Sequence, residues 1–214
     1  MKKLTIPIFA AFLILLIDQI LKIWIKTNMH LGESYHIAGN WFIIHFIENR
    51  GMAFGWTFGD GSLPKILLTT FRIVFSIIIA WAIYNVSKQT NSKGFLVSCA
   101  FIWAGAVGNI IDSIFYGKLF SHSSYNSVAE FLPAEGGYAG WLQGNVVDMF
   151  YFPIIRGQYP AWFPMEGDFE FFRPVFNIAD AAITVGVFML LLFYRKQLEM
   201  FKEEKTVSSS ITTE

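Results

Sequence analysis

The sequence predicts a mainly α membrane protein: four transmembrane helices, a small extracytoplasmic β-sheet between spans one and two, and a long periplasmic loop between spans three and four. Three observations carry this. Apolar residues make up 54% and aromatic residues 18% of the 214 positions, more than an ordinary soluble domain uses. Four apolar runs, at about residues 4–25, 66–86, 94–115 and 175–194, are each close to the roughly 20 residues that cross a hydrocarbon core. Lys and Arg crowd at one set of run ends.

Taken in order, Met1-Lys2-Lys3 and the apolar run from Leu4 imitate a signal peptide. The run continues into Asp18-Gln19-Ile20-Leu21-Lys22 rather than a small-residue cleavage site, so it reads as an uncleaved first span. In the external connection 26–65, residues 41–47 and 52–56 read as two strands around a turn at Glu48-Asn49-Arg50-Gly51. Spans two and three are joined by a short basic link carrying Lys88 and Lys93. The second external connection, 116–174, is aromatic and rich in Gly and Pro, which reads as a functional loop on the bilayer surface rather than disorder. After span four comes a polar tail, 195–214, with Arg195, Lys196, Lys202 and Lys205. Both termini are therefore expected to be cytoplasmic, in one membrane domain spanning 1–214.

Asp18 with Lys22, Arg72, Asp112 and Asp180 fall inside the runs, and Asp148 falls in the apolar loop segment Val146-Val147-Asp148-Met149-Phe150. An ionisable group at membrane depth is costly, and so points to function. At about 1.5 Å per residue, Asp18, Arg72 and Asp180 lie roughly 20 Å from the cytoplasmic face and Asp112 about 28 Å, which is the outer half of a core about 30 Å thick. Gly105, Asn109 and Asp112 share one helical face, as do Asn177, Asp180 and Thr184, and Ala104, Gly105 and Gly108 offer a small-residue contact surface.

Asp148 and Asp180 are the candidates for chemistry. Two carboxylates a few Å apart hold one proton between them, because like charges raise one of the two pKa values. One can then take a proton from water while the other polarises a carbonyl. Asp18 with Lys22 reads first as a structural ion pair, Asp112 as a helix-end brace, Asn109 and Asn177 as hydrogen-bonding glue, and Arg72 as a cation able to snorkel outward.

Several classes are disfavoured. Zero net charge gives no footprint for nucleic acid. The lone Cys99 cannot form an intramolecular disulfide, and the four histidines form no His-Glu-x-x-His zinc motif. Leu96-Val97-Ser98-Cys99 imitates a lipobox but lies inside span three. No histidine lies in a span to serve a serine peptidase, and Gly-x-Gly-Asp is absent. The alternative to hydrolysis is proton or ion transport, which intramembrane carboxylates also support; the lack of an internal repeat and the clustering of charge near one face count against it.

The segments Asp18-Gln19-Ile20-Leu21-Lys22, Glu48-Asn49-Arg50-Gly51-Met52-Ala53-Phe54-Gly55, Gly108-Asn109-Ile110-Ile111-Asp112, Val146-Val147-Asp148-Met149-Phe150 and Phe176-Asn177-Ile178-Ala179-Asp180 resemble, in order, the motif set of bacterial lipoprotein signal peptidase (signal peptidase II). The resemblance implies an intramembrane aspartic endopeptidase of the bacterial inner membrane. Its substrates would be diacylglyceryl-modified prolipoproteins, cut just before the lipidated Cys in the outer leaflet, with the active site facing the periplasm. It implies Asp148 and Asp180 as the catalytic pair. Asn49, Gly51, Asn109, Asp112 and Asn177 would be substrate-binding or supporting residues, and Asp18 and Lys22 structural ones. Neither metal nor cofactor is implied; membrane lipid and globomycin-type inhibitors are the other expected partners. Two departures stand out. Ser113 occupies a position where the family usually has Arg, a role Arg72 is expected to share. Roughly 35 residues separate Asp112 from Asp148, an unusually long interval.

Overall fold

The computed structural model describes residues 3–49, 61–153, 155–158, 168–171 and 174–199. Helix α1 (Thr5–Asn28) is followed by strands β1 (Ser34–Ala38) and β2 (Phe42–Asn49). Helix α2 (Ser62–Gln89) and helix α3 (Lys93–Ile111) come next, and α3 runs on through a π-helical turn (Asp112–Tyr116) into the single turn α4 (Gly117–Leu119). Strands β3 (Val146–Tyr151), β4 (Ile155–Gln158), β5 (Asp168–Phe171) and β6 (Val175–Phe176) lead into helix α5 (Ile178–Phe193).

α1, α2 and the continuous run from α3 to α4 are long and apolar enough to cross a membrane, and α5 is a shorter apolar helix that makes the fourth span. Their burial is inverted relative to a soluble protein. Phe9, Phe12, Trp24, Phe71, Trp81 and Leu192 are exposed, whereas Asp18, Lys22, Lys26, Asp112 and Asn177 are buried. A hydrocarbon solvent explains that inversion, because charges then turn toward the bundle interior. Small residues set the closest approach. A Cβ added at Gly105 would strike the Ala179 carbonyl, and one at Gly108 would lie 2.9 Å from Asp18 Oδ2, so α3 meets the backbone of α5 directly and admits the Asp18 side chain of α1 beside it.

At one end of the bundle lies a four-stranded antiparallel sheet of order β1-β2-β3-β6. Two sequence expectations change here, and a third falls outside the described residues. Residues 146–150, read as a loop segment, form β3; the run of β-branched and aromatic residues suits a pleated, half-buried surface. The partners of β2 are β1 and β3, while the expected partner strand at 52–56 lies outside the described residues. The last helix begins at Ile178 rather than Val175, since Val175 and Phe176 pair with Tyr151 and Phe150 as β6.

The first part of the long connection is folded against the end of α3. Backbone bonds run from Gly144 N–H to the Ser113 carbonyl (2.9 Å), from Ala139 to Gly117 (2.9 Å) and from Tyr138 to Phe120 (2.9 Å). Gly144 is needed there, because a Cβ would collide with the Asp112 carbonyl. Phe120 and Ala129 from this segment pack with Ile25, Met29, Phe46, Tyr116, Val147 and Met149 into the core beneath the sheet. Farther along, β4 and β5 pair as a separate two-stranded sheet.

Candidate active site

Strand pairing delivers the two candidate carboxylates to one place. Phe150 on β3 faces Phe176 on β6. Stepping two residues back along β3 reaches Asp148, and stepping two residues on from Phe176 passes Asn177 and enters α5. Asn177 ends the strand and caps the helix: its side-chain oxygen accepts from Asp180 N–H (2.9 Å), while Asp180 Oδ2 accepts from Asn177 N–H (3.4 Å). This reciprocal capping box satisfies two otherwise unpaired donors. It also fixes the Asp180 carboxylate at the positive end of the α5 dipole.

Asn177 serves the other carboxylate as well. Its Nδ2 donates to Asp148 Oδ1 (2.6 Å), the Val147 carbonyl (3.2 Å) and Asn109 Oδ1 (3.1 Å). Asn109, on α3, donates in turn to Asp180 Oδ1 (2.8 Å). Asp148 Oδ2 accepts from the Asn49 amide at the end of β2. Three asparagines from a strand, a helix and a helix cap thus bind two acids that are 32 positions apart in the sequence. Burial first, and the Asp180 charge second, push the Asp148 carboxyl up to about 8, with Lys22 and the Asn177 amide opposing. At pH 7, about one unit lower, such a carboxyl is mostly protonated.

Behind the pair lies a second cluster, in which one lysine is shared by two carboxylates. Lys22 Nζ spends its three donors on Asp18 Oδ2 (2.9 Å), Asp112 Oδ2 (2.9 Å) and Asn109 Oδ1 (2.8 Å). Asp18 Oδ1 accepts from Ala179 N–H in the first turn of α5 (2.9 Å). Asp112 also accepts from Gln19 Nε2 (2.9 Å) and from Val147 N–H (3.3 Å). Tyr116, reached through the π turn, donates to Gln19 Oε1 (3.1 Å). The two carboxylates read as structural are therefore ligated on both oxygens, and they brace α1, α3, α5 and β3 around the asparagines.

Arg72 on α2 is half-buried, and its charge acts on Asp180. Ser113, the position where the resemblance expects Arg, is buried and turns its hydroxyl back to the Asn109 carbonyl (3.0 Å). Gly51 lies outside the described residues. Sequence reasoning missed Gln19, Tyr116 and a further buried group formed by Lys26, Glu48, Ser123 and Asn145. The available signal was that Lys22 and Lys26 are one helical turn apart on one face of α1.

A family model described as signal peptidase (SPase) II matches residues 10–195, which includes every residue of this network. The lipoprotein signal peptidase of Porphyromonas gingivalis is 45% identical over 208 residues, covering 94% of this chain and 88% of that protein. The one from Amoebophilus asiaticus is 39% identical over 193 residues, covering 88% and 77%. A solved bacterial membrane enzyme superimposes with a TM-score of 0.59 over 90% of this chain and 88% of its own, at 23% identity, so that it speaks for the fold. A match that runs from α1 to the end of α5, with relatives at this level of identity, makes the chain a member of the signal peptidase II family of aspartic signal peptidases.

Proposed function

We propose that this chain removes the signal peptide from diacylglyceryl-modified prolipoproteins, cutting on the N-terminal side of the lipidated Cys, with Asp148 and Asp180 as the catalytic pair. The observation that carries the assignment is the amide bridge: Asn177 Nδ2 lies 2.6 Å from Asp148 Oδ1 and 3.1 Å from Asn109 Oδ1, whose own Nδ2 lies 2.8 Å from Asp180 Oδ1. Neutral amides orient both acids without neutralising either.

In this mechanism Asp148 carries the proton and Asp180 the negative charge. Asp180 takes a proton from water as the water oxygen attacks the scissile carbonyl carbon, and Asp148 gives its proton to the carbonyl oxygen. The tetrahedral intermediate collapses as the proton on Asp180 passes to the leaving nitrogen and the C–N bond breaks. A hydroxyl proton of the intermediate returns to Asp148. No electron acceptor or metal is required for this proton balance. Each acid-base contribution is worth roughly 10²–10⁴ in rate.

The positive charges at residues 2, 3, 88, 93 and 195 support cytoplasmic termini and hence a site on the periplasmic side of the inner membrane, within reach of a lipid-anchored substrate. The sheet beside the site supports recognition of an extended peptide by backbone pairing. Arg72 takes up part of the role of the family's guanidinium. The test is cleavage of a diacylglyceryl-modified prolipoprotein by the purified enzyme, with mass spectrometry of the product N-terminus and globomycin as a competing ligand. A new N-terminus at the lipidated Cys, lost in Asp148→Asn and Asp180→Asn variants that remain folded in detergent, is the expected result. Cleavage elsewhere, or activity in either variant close to wild type, overturns the reading.

A further inference from the structure

Lys26 and Glu48 form a second buried ion pair that the proposed chemistry does not use. Lys26 Nζ contacts Glu48 Oε1 and donates to Ser123 Oγ (2.8 Å). Ser123 donates to the same Glu48 oxygen (2.7 Å), and Asn145 Nδ2 donates to Glu48 Oε2 (3.1 Å). The rings of Phe120 and Tyr138 cover the ammonium at 5.5 Å and 5.0 Å from their centroids, and Tyr138 OH accepts from Asn145 N–H (2.6 Å). Burial raises the Glu48 carboxyl, but Lys26, Ser123 and Asn145 outweigh it and hold it below the usual carboxylate range.

The place of this cluster in the sheet gives it a task. In the β2–β3 ladder Glu48 faces Val147 and Asn49 faces Val146, and the register shifts between Ile44 and Ile47. Such a bulge uncouples the strand end from the regular pleat before it and turns its side chains to a new direction. Beyond the bulge, Ile47, Glu48 and Asn49 are the described residues paired with β3, and Asn49 carries the amide that meets Asp148 Oδ2. The side chains at that end make contacts outside the ladder. Glu48 precedes Asn49 and Asn145 precedes Val146, so the hydrogen bond from Asn145 to Glu48 closes the ladder beside the Asn49 pair. Lys26 and Ser123 fasten the closure to α1 and to the long connection.

We infer that Lys26, Glu48 and Asn145 are positioning residues, an ionic clamp that fixes the bulged end of β2 against α1 so that Asn49 meets Asp148. The inference rests on the catalytic reading of Asp148. It also gives the long interval between Asp112 and Asp148 a purpose, because Ser123, Tyr138 and Asn145 all come from it.

The test compares full-length wild type, Asn145→Ala and the double variant Lys26→Met/Glu48→Met, each with kcat, KM and thermal unfolding measured in detergent. The double variant leaves no unpaired buried charge, and replacing a buried pair by apolar residues is often neutral for stability. Its expected signature is a thermal midpoint close to wild type, KM within about twofold, and kcat lower by about 10- to 100-fold, the scale of a misplacement near 1 Å. Asn145→Ala should lose about tenfold in kcat by the same displacement. The alkaline limb of the kcat profile should move to higher pH in both, because the Asn49 amide no longer steadies the ionised form of Asp148. Wild-type kcat in the folded double variant overturns the clamp, as does a loss that follows the unfolded fraction alone. Should the double variant fail to fold, a wild-type kcat in Asn145→Ala overturns it. Failure of the wild type to cleave would instead remove the catalytic reading on which the clamp depends.

Discussion

Two pairs of carboxylates lie side by side in this protein and are treated in opposite ways. Asp18 and Asp112 share the ammonium of Lys22, each at 2.9 Å, whereas Asp148 and Asp180 are held by the amides of Asn49, Asn109 and Asn177. The shared ammonium offsets one carboxylate charge and ties both acids in place. Amides orient a carboxyl without supplying a countercharge, so burial first and the Asp180 charge second raise Asp148 to about 8 against the opposition of Lys22 and the Asn177 amide. The contrast sets two buried acids held by a cation against a buried and a half-buried acid held by amides, and under the proposed function only the amide-held pair does chemistry.

The largest expected effect follows from removing an acid of the amide-held pair. Asp180→Asn keeps the side-chain shape and an oxygen for the Asn177 N–H, yet removes the proposed base. Turnover should fall at least about 10²-fold with little change in thermal midpoint. A comparable loss of turnover in Asp18→Asn, with its fold intact, would erase the distinction between the pairs.

Breaking the other pair should act on stability. Lys22→Met leaves Asp18 and Asp112 buried without their cation, and stranding one partner of a buried pair costs about 3–5 kcal/mol. Thermal unfolding in detergent should show a large drop, partly recovered in Lys22→Met/Asp112→Asn. An Lys22→Met enzyme with wild-type stability would mean that Gln19 and the backbone donors suffice to hold the acids.

A third prediction separates the pairs by pH. The folded-state value of Asp148 lies above that of a free carboxyl, at about 8 against 3.8. The unfolded chain therefore releases this proton first, and the group's contribution to stability is present below about pH 4 and is lost as pH rises toward 8. Asp148→Asn has no such proton to lose. Its thermal midpoint should gain on wild type between pH 5 and pH 8 and hold a constant advantage above that range. A parallel pair of curves would show that Asp148 keeps an ordinary carboxyl value.

How far these pairs could be read from sequence depends on the range over which each interaction acts. Four spans are legible because a hydrocarbon core demands a continuous apolar run, and the Asp18–Lys22 contact is legible because both residues occupy one helical face. The capping role of Asn177 is hidden by the preceding Val175 and Phe176, which look like helix but pair as strand. Nothing local announces that residues 47–49 pair with 146–148, since that choice rests on a ladder closed across about a hundred residues and on a bulge within β2. Lys26 is the plainest miss. A lysine near a helix end is usually a snorkelling interfacial residue, and only the three-dimensional meeting with Glu48, Ser123 and Asn145 makes it a buried one.

The smallest expected effect concerns the cation that reaches the amide-held pair from outside it. Arg72 acts on Asp180 from α2, whereas Lys22 grips Asp18 and Asp112 from α1. Removing it should take a positive charge away from Asp180 without unmaking the capping box that holds the side chain. Arg72→Gln should thus lower kcat/KM by about tenfold, equivalent to about 1.4 kcal/mol, while Arg72→Lys, which keeps the charge, should retain most of the activity. If Arg72→Gln cleaves at the wild-type rate, α2 contributes no charge to the reaction, and Ser113 marks a site that works with asparagine amides and the α5 terminus alone. If both variants lose activity equally, geometry rather than charge is what the guanidinium supplies, as a fixed planar fork would.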